Sequence, residues 1–402
     1  MRILILGVDG YLGWSLAKHL GHVRPDWEVA GVDCYKRRDW VAEVGGQSAT
    51  PIRKMTDRIE AYVDWFGKTL RFYRGDLVDY GFVEEVFRSF RPDAVVHLAE
   101  MPSAPYSMMG PRQACETHRN NLEGTLNVLF AMRDHSPNAQ LLKLGTMGEY
   151  GTPNVDIPEG EFEMEFRGRK DKVMFPRRPG SLYHATKVHD THNVHLACRV
   201  WGLRSTDVMQ GVVYGLRVDD EDTWEEDLCT RFDFDGVFGT AINRFCAQVV
   251  AGEPITVFGA GHHSRGFLPL RDSMQCLTLA LENPPAAGQY RTFNQFEQVY
   301  RIESLAEIVA GEARKLMLKP EVVRVENPRA GAEVTSSHWY NPDQDGLRNL
   351  GYVPSNDIEG EVHSLLVDLM RYRSRIMARA NMLVPDVHWD GRRVPVKFDD
   401  GR

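Results

Sequence analysis

Short apolar runs and amphipathic stretches alternate through the first half of the chain. Ile3–Leu6, Glu28–Val32, Leu70–Tyr73, Ala94–Leu98 and Gln140–Leu144 predict short buried strands. Tyr11–Leu20, Gly81–Phe90 and Asn121–Arg133 carry apolar positions at helical spacing between them. This alternation predicts an α/β fold, a doubly wound parallel sheet covered by helices. Two stretches break the rhythm. Residues 35–69 are long for a strand-to-helix connection and hold Lys36, Arg37, Arg38, Arg53, Lys54 and Arg58. Within residues 155–180, Glu161–Phe166 alternates with period two, and Arg167-Gly168-Arg169-Lys170 and Val173–Phe175 follow. That pattern predicts a β-hairpin, in a position to cover an active site.

After Gly211 the pattern is mixed, with helices expected near Thr240–Ala251, Asp272–Leu281, Ser304–Lys315 and Glu359–Arg375. This predicts a smaller mixed α/β domain on the carboxyl edge of the sheet. The chain divides into a nucleotide-binding domain at 1–210 and a substrate-binding domain at 211–402, with 272–300 returning to the first. Pro385–Arg402 is polar, with Pro and Gly, and is expected to wrap the surface or fray.

Composition narrows the function. The chain has 402 residues, 43% hydrophobic and 26% charged, with a formal net charge of −8. That is globular, and its acidity argues against nucleic acid or an anionic membrane as partner. No apolar run reaches membrane-spanning length. The cysteines at 34, 115, 198, 229, 246 and 276 are scattered, with no Cys-x-x-Cys, as expected of a reduced cytoplasmic chain without disulfides or zinc. His184, His189, His192 and His195 lie along one expected helix but drift around it, so no metal site is expected.

The first expected strand runs into Gly7-Val8-Asp9-Gly10-Tyr11-Leu12-Gly13. Gly7 permits a tight turn, Gly10 lets backbone approach a pyrophosphate, and Gly13 lets the helix pack close to the strand. Asp33, twenty positions after Gly13, accepts from ribose hydroxyls and repels a 2′-phosphate, which favours NAD. Lys36, Arg37 and Arg38 leave a 2′-phosphate site open as the alternative. Asp76 and Leu77, then Leu98, Ala99 and Glu100, then Asn120, follow strand ends or open a helix and are expected to line the same cofactor, as are Asp9, Tyr11, Leu12, Gln210 and Val213.

Tyr183-His184-Ala185-Thr186-Lys187 puts a phenol and an ammonium one helical turn apart. The ammonium is expected to lower the phenol pKa, so that Tyr183 can take a proton from a sugar hydroxyl. Thr146, at the end of the fifth strand, brings a hydroxyl to the same oxygen.

The glycine spacing, Asp33, Thr146, Tyr183 and Lys187, in this order, resemble the extended short-chain dehydrogenase/reductase family of nucleotide-sugar enzymes, which implies a Rossmann-type sheet. Longer runs resemble one branch of that family, the UDP-sulfoquinovose synthases. They are Ser103–Met108, Lys143–Asn154, Lys187–Asp190, Gln210–Gly215 and Val237–Ala241. The resemblance covers residues 1 to about 390. It implies oxidation of UDP-glucose at C4 with NAD, loss of water across C5–C6, and addition of sulfite at C6. It further implies substrate contacts at Ser103, Tyr106, Thr146, Gln210, Thr240, Asn243, Val257, His263, Arg265 and Arg329, and a homodimer formed through the helix after Tyr183.

Two departures bear on the chemistry. Sugar 4,6-dehydratases carry Asp-Glu directly after the Thr, where this chain has Met147 and Gly148. Glu149 and His184 are therefore the candidates for the elimination acid/base. The synthases carry Gln-Arg before Ser-Ala-Pro-Tyr-Ser-Met, where this chain has Met101-Pro102. A UDP-sugar 4-epimerase, or a dehydratase with another nucleophile, is the alternative.

Overall fold

Ile3, Leu4, Ile5 and Leu6 are all buried, as a strand covered on both faces requires. In the computed structural model, which describes residues 1–219, 226–329 and 339–398, they form the middle of a seven-stranded parallel sheet. Its order is Tyr290–Gln295, Arg204–Gln210, Gln140–Thr146, Ala94–His97, Arg2–Leu6, Glu28–Asp33, Arg71–Arg74. The chain runs outward from Arg2–Leu6 to Arg71–Arg74, then crosses back to Ala94–His97. The carboxyl ends of Arg2–Leu6 and Ala94–His97 therefore form the crevice where such sheets take ligands.

Alternate strand residues feed opposite layers. Ile3 and Ile5 pack with Trp14, Leu16 and Leu20 of helix Tyr11–Val23 and with Met274 and Leu277 of helix Leu270–Glu282. Leu4 and Leu6 pack with Val83, Phe87, Val128, Leu129 and Val194 of the helices on the other face. A second core joins helices Ala241–Ala251, Ile302–Lys315 and Ile358–Met370 to the parallel pair Ile255–Phe258 and Val322–Val325. A three-stranded sheet, Val212–Tyr214, Ser264–Pro269 and Gln298–Arg301, links the two regions.

Several sequence expectations are revised. Residues 35–69 form two helices, Lys36–Glu43 and Met55–Phe66. The second seats Arg58 over the Trp14 ring at 3.9 Å. The expected helix Asn121–Arg133 begins as a π-helical turn, Arg119–Glu123, before Gly124–His135. There Asn121 accepts from the Met101 backbone N–H (2.7 Å) and donates to Thr186 Oγ1 (2.9 Å), fixing the catalytic helix to the loop after Ala94–His97. The expected helix over 359–375 is two, Ile358–Met370 and Arg373–Met377. Bonds from Arg371 and Tyr372 to carbonyls three residues back tighten and end the first.

The hairpin Glu161–Phe166/Arg169–Met174 is present, but it does not cover the site. It runs beside helix Leu182–Trp201, with Glu161 3.8 Å from His195, and none of its residues lines the cleft. The segment after Pro385 does not fray over its described length. Val387 and Val396 are buried, and the Trp389 N–H donates to Pro328 O (2.8 Å).

Candidate active site

One cleft follows the carboxyl edge of the sheet and continues under the second core. At its inner end, Gly7 has φ +86° and turns the chain out of the first strand. A Cβ on Gly13 would overlap the Gly7 carbonyl, and one on Gly7 would overlap the backbone of Leu98 and Ala99. The loop is thus a bare-backbone cradle at a helix N-terminus, which fits a dinucleotide pyrophosphate. Gly10, Tyr11, Leu12, Asp33, Asp76, Leu77, Leu98, Ala99, Glu100, Asn120, Gln210 and Val213 line the cleft with it. Asp33 accepts from the backbone N–H of Asp9 (2.9 Å) and of Tyr35 (2.7 Å). Burial, then the neighbouring Asp9 charge, raises its carboxyl to about 6.

Asp9 itself does not line the cleft. Its side chain is buried beneath the loop, bonded by Arg38 (2.7 Å to each oxygen) and Arg58 (2.6 Å). It is a support for the glycine turn. The basic run is spent in the same way: Lys36 pairs with Asp76 (2.6 Å), Arg37 with Asp233 (2.6 Å) and Arg38 with Asp9. Each cation already has a carboxylate, which weakens the case for a 2′-phosphate site here.

At the middle of the cleft, Thr146 ends its strand, and Tyr183 and Lys187 rise from helix Leu182–Trp201. Ser181 caps that helix by accepting from the His184 N–H (3.2 Å), and the Tyr183 N–H donates to Ser107 Oγ (3.0 Å). Lys187 Nζ donates to Leu144 O (2.6 Å) and pairs with Glu100 (2.5 Å). The expected lowering of the phenol pKa is therefore reversed. Burial, then the Glu100 charge, pushes Tyr183 upward.

The two acid/base candidates part company. Glu149 is fully buried and does not line the cleft. It accepts from Thr191 (3.1 Å), faces Lys143 (3.8 Å) and Arg177 (3.7 Å), and closes a capping box with Thr146. It is a structural carboxylate. Lys143, its neighbour, pairs with Asp207 (3.1 Å), to which the Tyr290 hydroxyl donates (2.7 Å). His184 does line the cleft, with Nδ1 2.9 Å from Ser181 Oγ. A Cβ on Gly148 would fall on the His184 ring. The glycine standing where dehydratases have a carboxylate is what lets the imidazole occupy that space.

Of the expected substrate residues, Ser103, Gln210, Thr240, His263, Arg265 and Arg329 line the cleft. Tyr106, Asn243 and Val257 do not. Tyr106 is buried, its hydroxyl donating to Glu43 (2.9 Å). Asn243 accepts from the Gly215 N–H (2.9 Å), and Val257 lies in the second core while its neighbour Phe258 faces the cleft. Phe258, from the strand end Val257-Phe258-Gly259 expected in the uridine pocket, lines this outer end, and so do Arg244, Tyr340 and Trp389, which were missed. Arg244 falls one turn after Thr240, so helical spacing could have found it. Trp389 sits in a polar segment with no periodicity, and no local signal marks it.

A family model described as the NAD dependent epimerase/dehydratase family matches residues 3–294. The chain is 43% identical over 396 residues to "UDP-sulfoquinovose synthase, chloroplastic" of Spinacia oleracea, covering 98% of this chain and 80% of that protein. It is 44% identical over 393 residues to the UDP-sulfoquinovose synthase of Sulfolobus acidocaldarius, covering 97% and 98%. Among solved structures, the UDP-glucuronic acid 4-epimerase of Bacillus cereus, in complex with UDP-glucuronic acid and NAD, shares the fold. Its TM-score is 0.67 at 17% identity, covering 92% of this chain and 99% of that one. The Thermus thermophilus UDP-glucose 4-epimerase, in complex with NAD, gives 0.63 at 23%, with the same coverage. The glycine cradle, the Asp33 carboxylate at the end of the second strand and the extent of these matches together make the chain a member of the NAD dependent epimerase/dehydratase family.

Proposed function

We propose that this protein converts UDP-glucose and sulfite to UDP-sulfoquinovose and water. The observation that carries the reading is the convergence of Thr146, Tyr183, Lys187 and His184 on the one cleft that also holds the glycine cradle, with Glu149 sealed outside it. The near-full-length likeness to two UDP-sulfoquinovose synthases supports it.

NAD, when bound, supplies a hydride acceptor for C4 of the sugar and returns the hydride at the end. The protein's part is proton handling and orientation. Tyr183 takes the C4 hydroxyl proton, Thr146 donates to the same oxygen, and Lys187 fixes the floor through Leu144 O and Glu100. A C4 ketone acidifies the C5 proton, so water can leave across C5–C6. Ser181 Oγ, which accepts from the His184 backbone N–H, lies 2.9 Å from His184 Nδ1 and holds the ring in place. His184 Nε2 lies against Gly148; it takes the C5 proton and passes it to the departing C6 hydroxyl, so that water leaves and the ring ends neutral. Sulfite, as hydrogen sulfite, then adds at C6: its sulfur forms the C–S bond and its proton is delivered to C5.

Met101-Pro102 favours a second reading. The synthases carry Gln-Arg at these positions, and here neither residue can meet an anion. In that case the C4 redox core acts as a 4-epimerase, or the elimination product takes another nucleophile. Mass spectrometry of UDP-glucose incubated with the holoenzyme, with and without sulfite, separates the readings. A product heavier by the replacement of a hydroxyl with a sulfonate, formed only with sulfite, supports the synthase. Conversion to an equal-mass UDP-sugar in both samples overturns it.

The same reading carries a homodimer and a reducing compartment such as the cytoplasm. The exposed Leu126 and Phe130 on one helix and Leu196 and Val200 on helix Leu182–Trp201 support the first. The six free thiols, four of them buried, support the second. Sedimentation of the native protein against a Leu196→Glu, Val200→Glu variant tests the dimer.

A further inference from the structure

The helix face that carries Lys187 toward the sheet also carries a carboxyl group that no ion pair uses. Thr186, Lys187, Asp190, Thr191 and Val194 are buried at helical spacing along Leu182–Trp201. Asp190 is 0% exposed and does not line the cleft. Among the described residues no donor meets either of its oxygens. The charged groups that act on it most are Glu100, from the loop after Ala94–His97, Lys143, Lys187 and Glu149.

The neighbouring charges are already joined in pairs. Lys143 pairs with Asp207 (3.1 Å), Lys187 with Glu100 (2.5 Å) and Arg177 with Glu149 (3.7 Å), and none of these side chains is more than 5% exposed. Asp190 is therefore the fourth carboxyl group among three cations. His97 does not supply the missing charge. It lies 4.0 Å from Glu100, but burial pushes it down to about 4, so the ring is neutral. An unpaired carboxylate in such a place is so costly that the group takes a proton instead. Burial, then the Glu100 charge, holds the Asp190 carboxyl well above its usual range. Glu100 Oε1 likewise meets no donor among the described residues.

Two carboxyl groups beside one ammonium are the arrangement in which a single proton is shared. We propose that Glu100 and Asp190 share one proton beneath Lys187, with Glu100 the carboxylate that balances the ammonium and Asp190 the neutral acid. Asp190 is then a positioning residue that acts through the charges around Tyr183. Burial, then Glu100, Glu149 and Asp190, push that phenol up, against Lys143. A protonated Asp190 spares the phenol one of these anions. When the Glu100 charge is removed, Asp190 releases its proton to solvent and replaces Glu100 as the counter-ion of Lys187. The proton sharing rests on the buried charges alone; its effect on rate rests on the reading of Tyr183 as the C4 base.

The test is infrared spectroscopy of the NAD-saturated protein at neutral pH, on native, Asp190→Asn, Glu100→Gln and the double variant. NAD content is the check on folding. The native protein is expected to show a carboxylic-acid C=O stretch that Asp190→Asn removes. Glu100→Gln removes the same band, because Asp190 ionises. A pH–rate series on the four proteins supplies the second readout. Asp190→Asn leaves the rising limb of kcat/KM in place, since one neutral group replaces another. The double variant moves the limb to lower pH than Glu100→Gln alone, because Asp190 can no longer replace the lost anion. An acid band that survives in Asp190→Asn or in Glu100→Gln overturns the inference. So does a limb in Asp190→Asn that moves as far as that of Glu100→Gln. Loss of the band in both single variants of a protein that leaves UDP-glucose unconverted upholds the inference and overturns the function proposed above.

Discussion

Lys187 Nζ lies 2.5 Å from Glu100 Oε2 at the floor of the cleft, so the ammonium one turn after Tyr183 is already balanced by a carboxylate. The phenol is pushed up first by burial and then by the Glu100 charge. Neutralising Glu100 removes an anion that opposes tyrosinate, so the phenol pKa must fall. A Glu100→Gln enzyme is expected to shift the rising limb of its kcat/KM profile to lower pH. A pH–rate series on both proteins checks this, and an unmoved or upward-shifted limb counts against the pairing.

Gly148 and His184 share one space. A Cβ at 148 would fall on the imidazole, whose Nδ1 is anchored 2.9 Å from Ser181 Oγ. Gly148→Ala is expected to displace the ring and to slow sugar conversion by about 10²-fold or more, the range of a lost general acid/base. NAD content should stay native, because residue 148 lies away from the glycine cradle. Turnover and bound NAD, measured on the same preparation, decide whether the loss is local.

Asp33 gives NAD retention a pH dependence. Its carboxyl stands at about 6, raised by burial and then by Asp9, so it is charged above that value and protonated below it. Only the charged form offers full acceptor strength to ribose hydroxyls. NAD affinity is expected to fall as the pH drops through about 6, and Asp33→Asn should flatten the dependence. For the protein without NAD the sign is opposite. A raised folded pKa disfavours the native state as pH rises from the ordinary carboxylate range toward about 6. Fluorescence titration of NAD and denaturant melts across this window test both.

The buried Lys143–Asp207 pair holds helix Leu182–Trp201 to the sheet. Burial alone would raise Asp207, but Lys143 and the Tyr290 and Thr191 hydroxyls outweigh it and hold the carboxyl below its usual range. A depressed folded pKa contributes stability above the unfolded pKa, and that stability is lost as pH falls through the folded one. Lys143→Met leaves Asp207 without its cation, and Glu149 with Arg177 alone, and is expected to cost about 3–5 kcal/mol near neutral pH. The deficit should shrink in acid, where the carboxylates take protons. Urea unfolding of both proteins at neutral and acid pH measures it.

Much of the molecule is legible along the chain. Ile3–Leu6 is apolar at every position because both faces of that strand are covered. Gly7, Gly10 and Gly13 mark the cradle because only backbone fits there. Tyr183 and Lys187 are paired by the pitch of the helix. Strand periodicity, glycine spacing and helical pitch are local properties, and local order along the chain is enough to specify them.

Which charges meet is decided elsewhere. Asp9 and Glu149 sit inside conspicuous motifs, yet one is taken by Arg38 and Arg58 and the other faces Lys143 and Arg177. Trp389 lies in an unpatterned stretch and still reaches the cleft, because Pro328 O receives its backbone N–H. A carboxylate serves as a ligand or as a strut according to the cations that folding brings within a few ångströms of it. In this protein those cations come from 29 and 49 positions away for Asp9, and from both sides along the chain for Glu149. No pattern read along the chain encodes that proximity; the packing of its layers creates it.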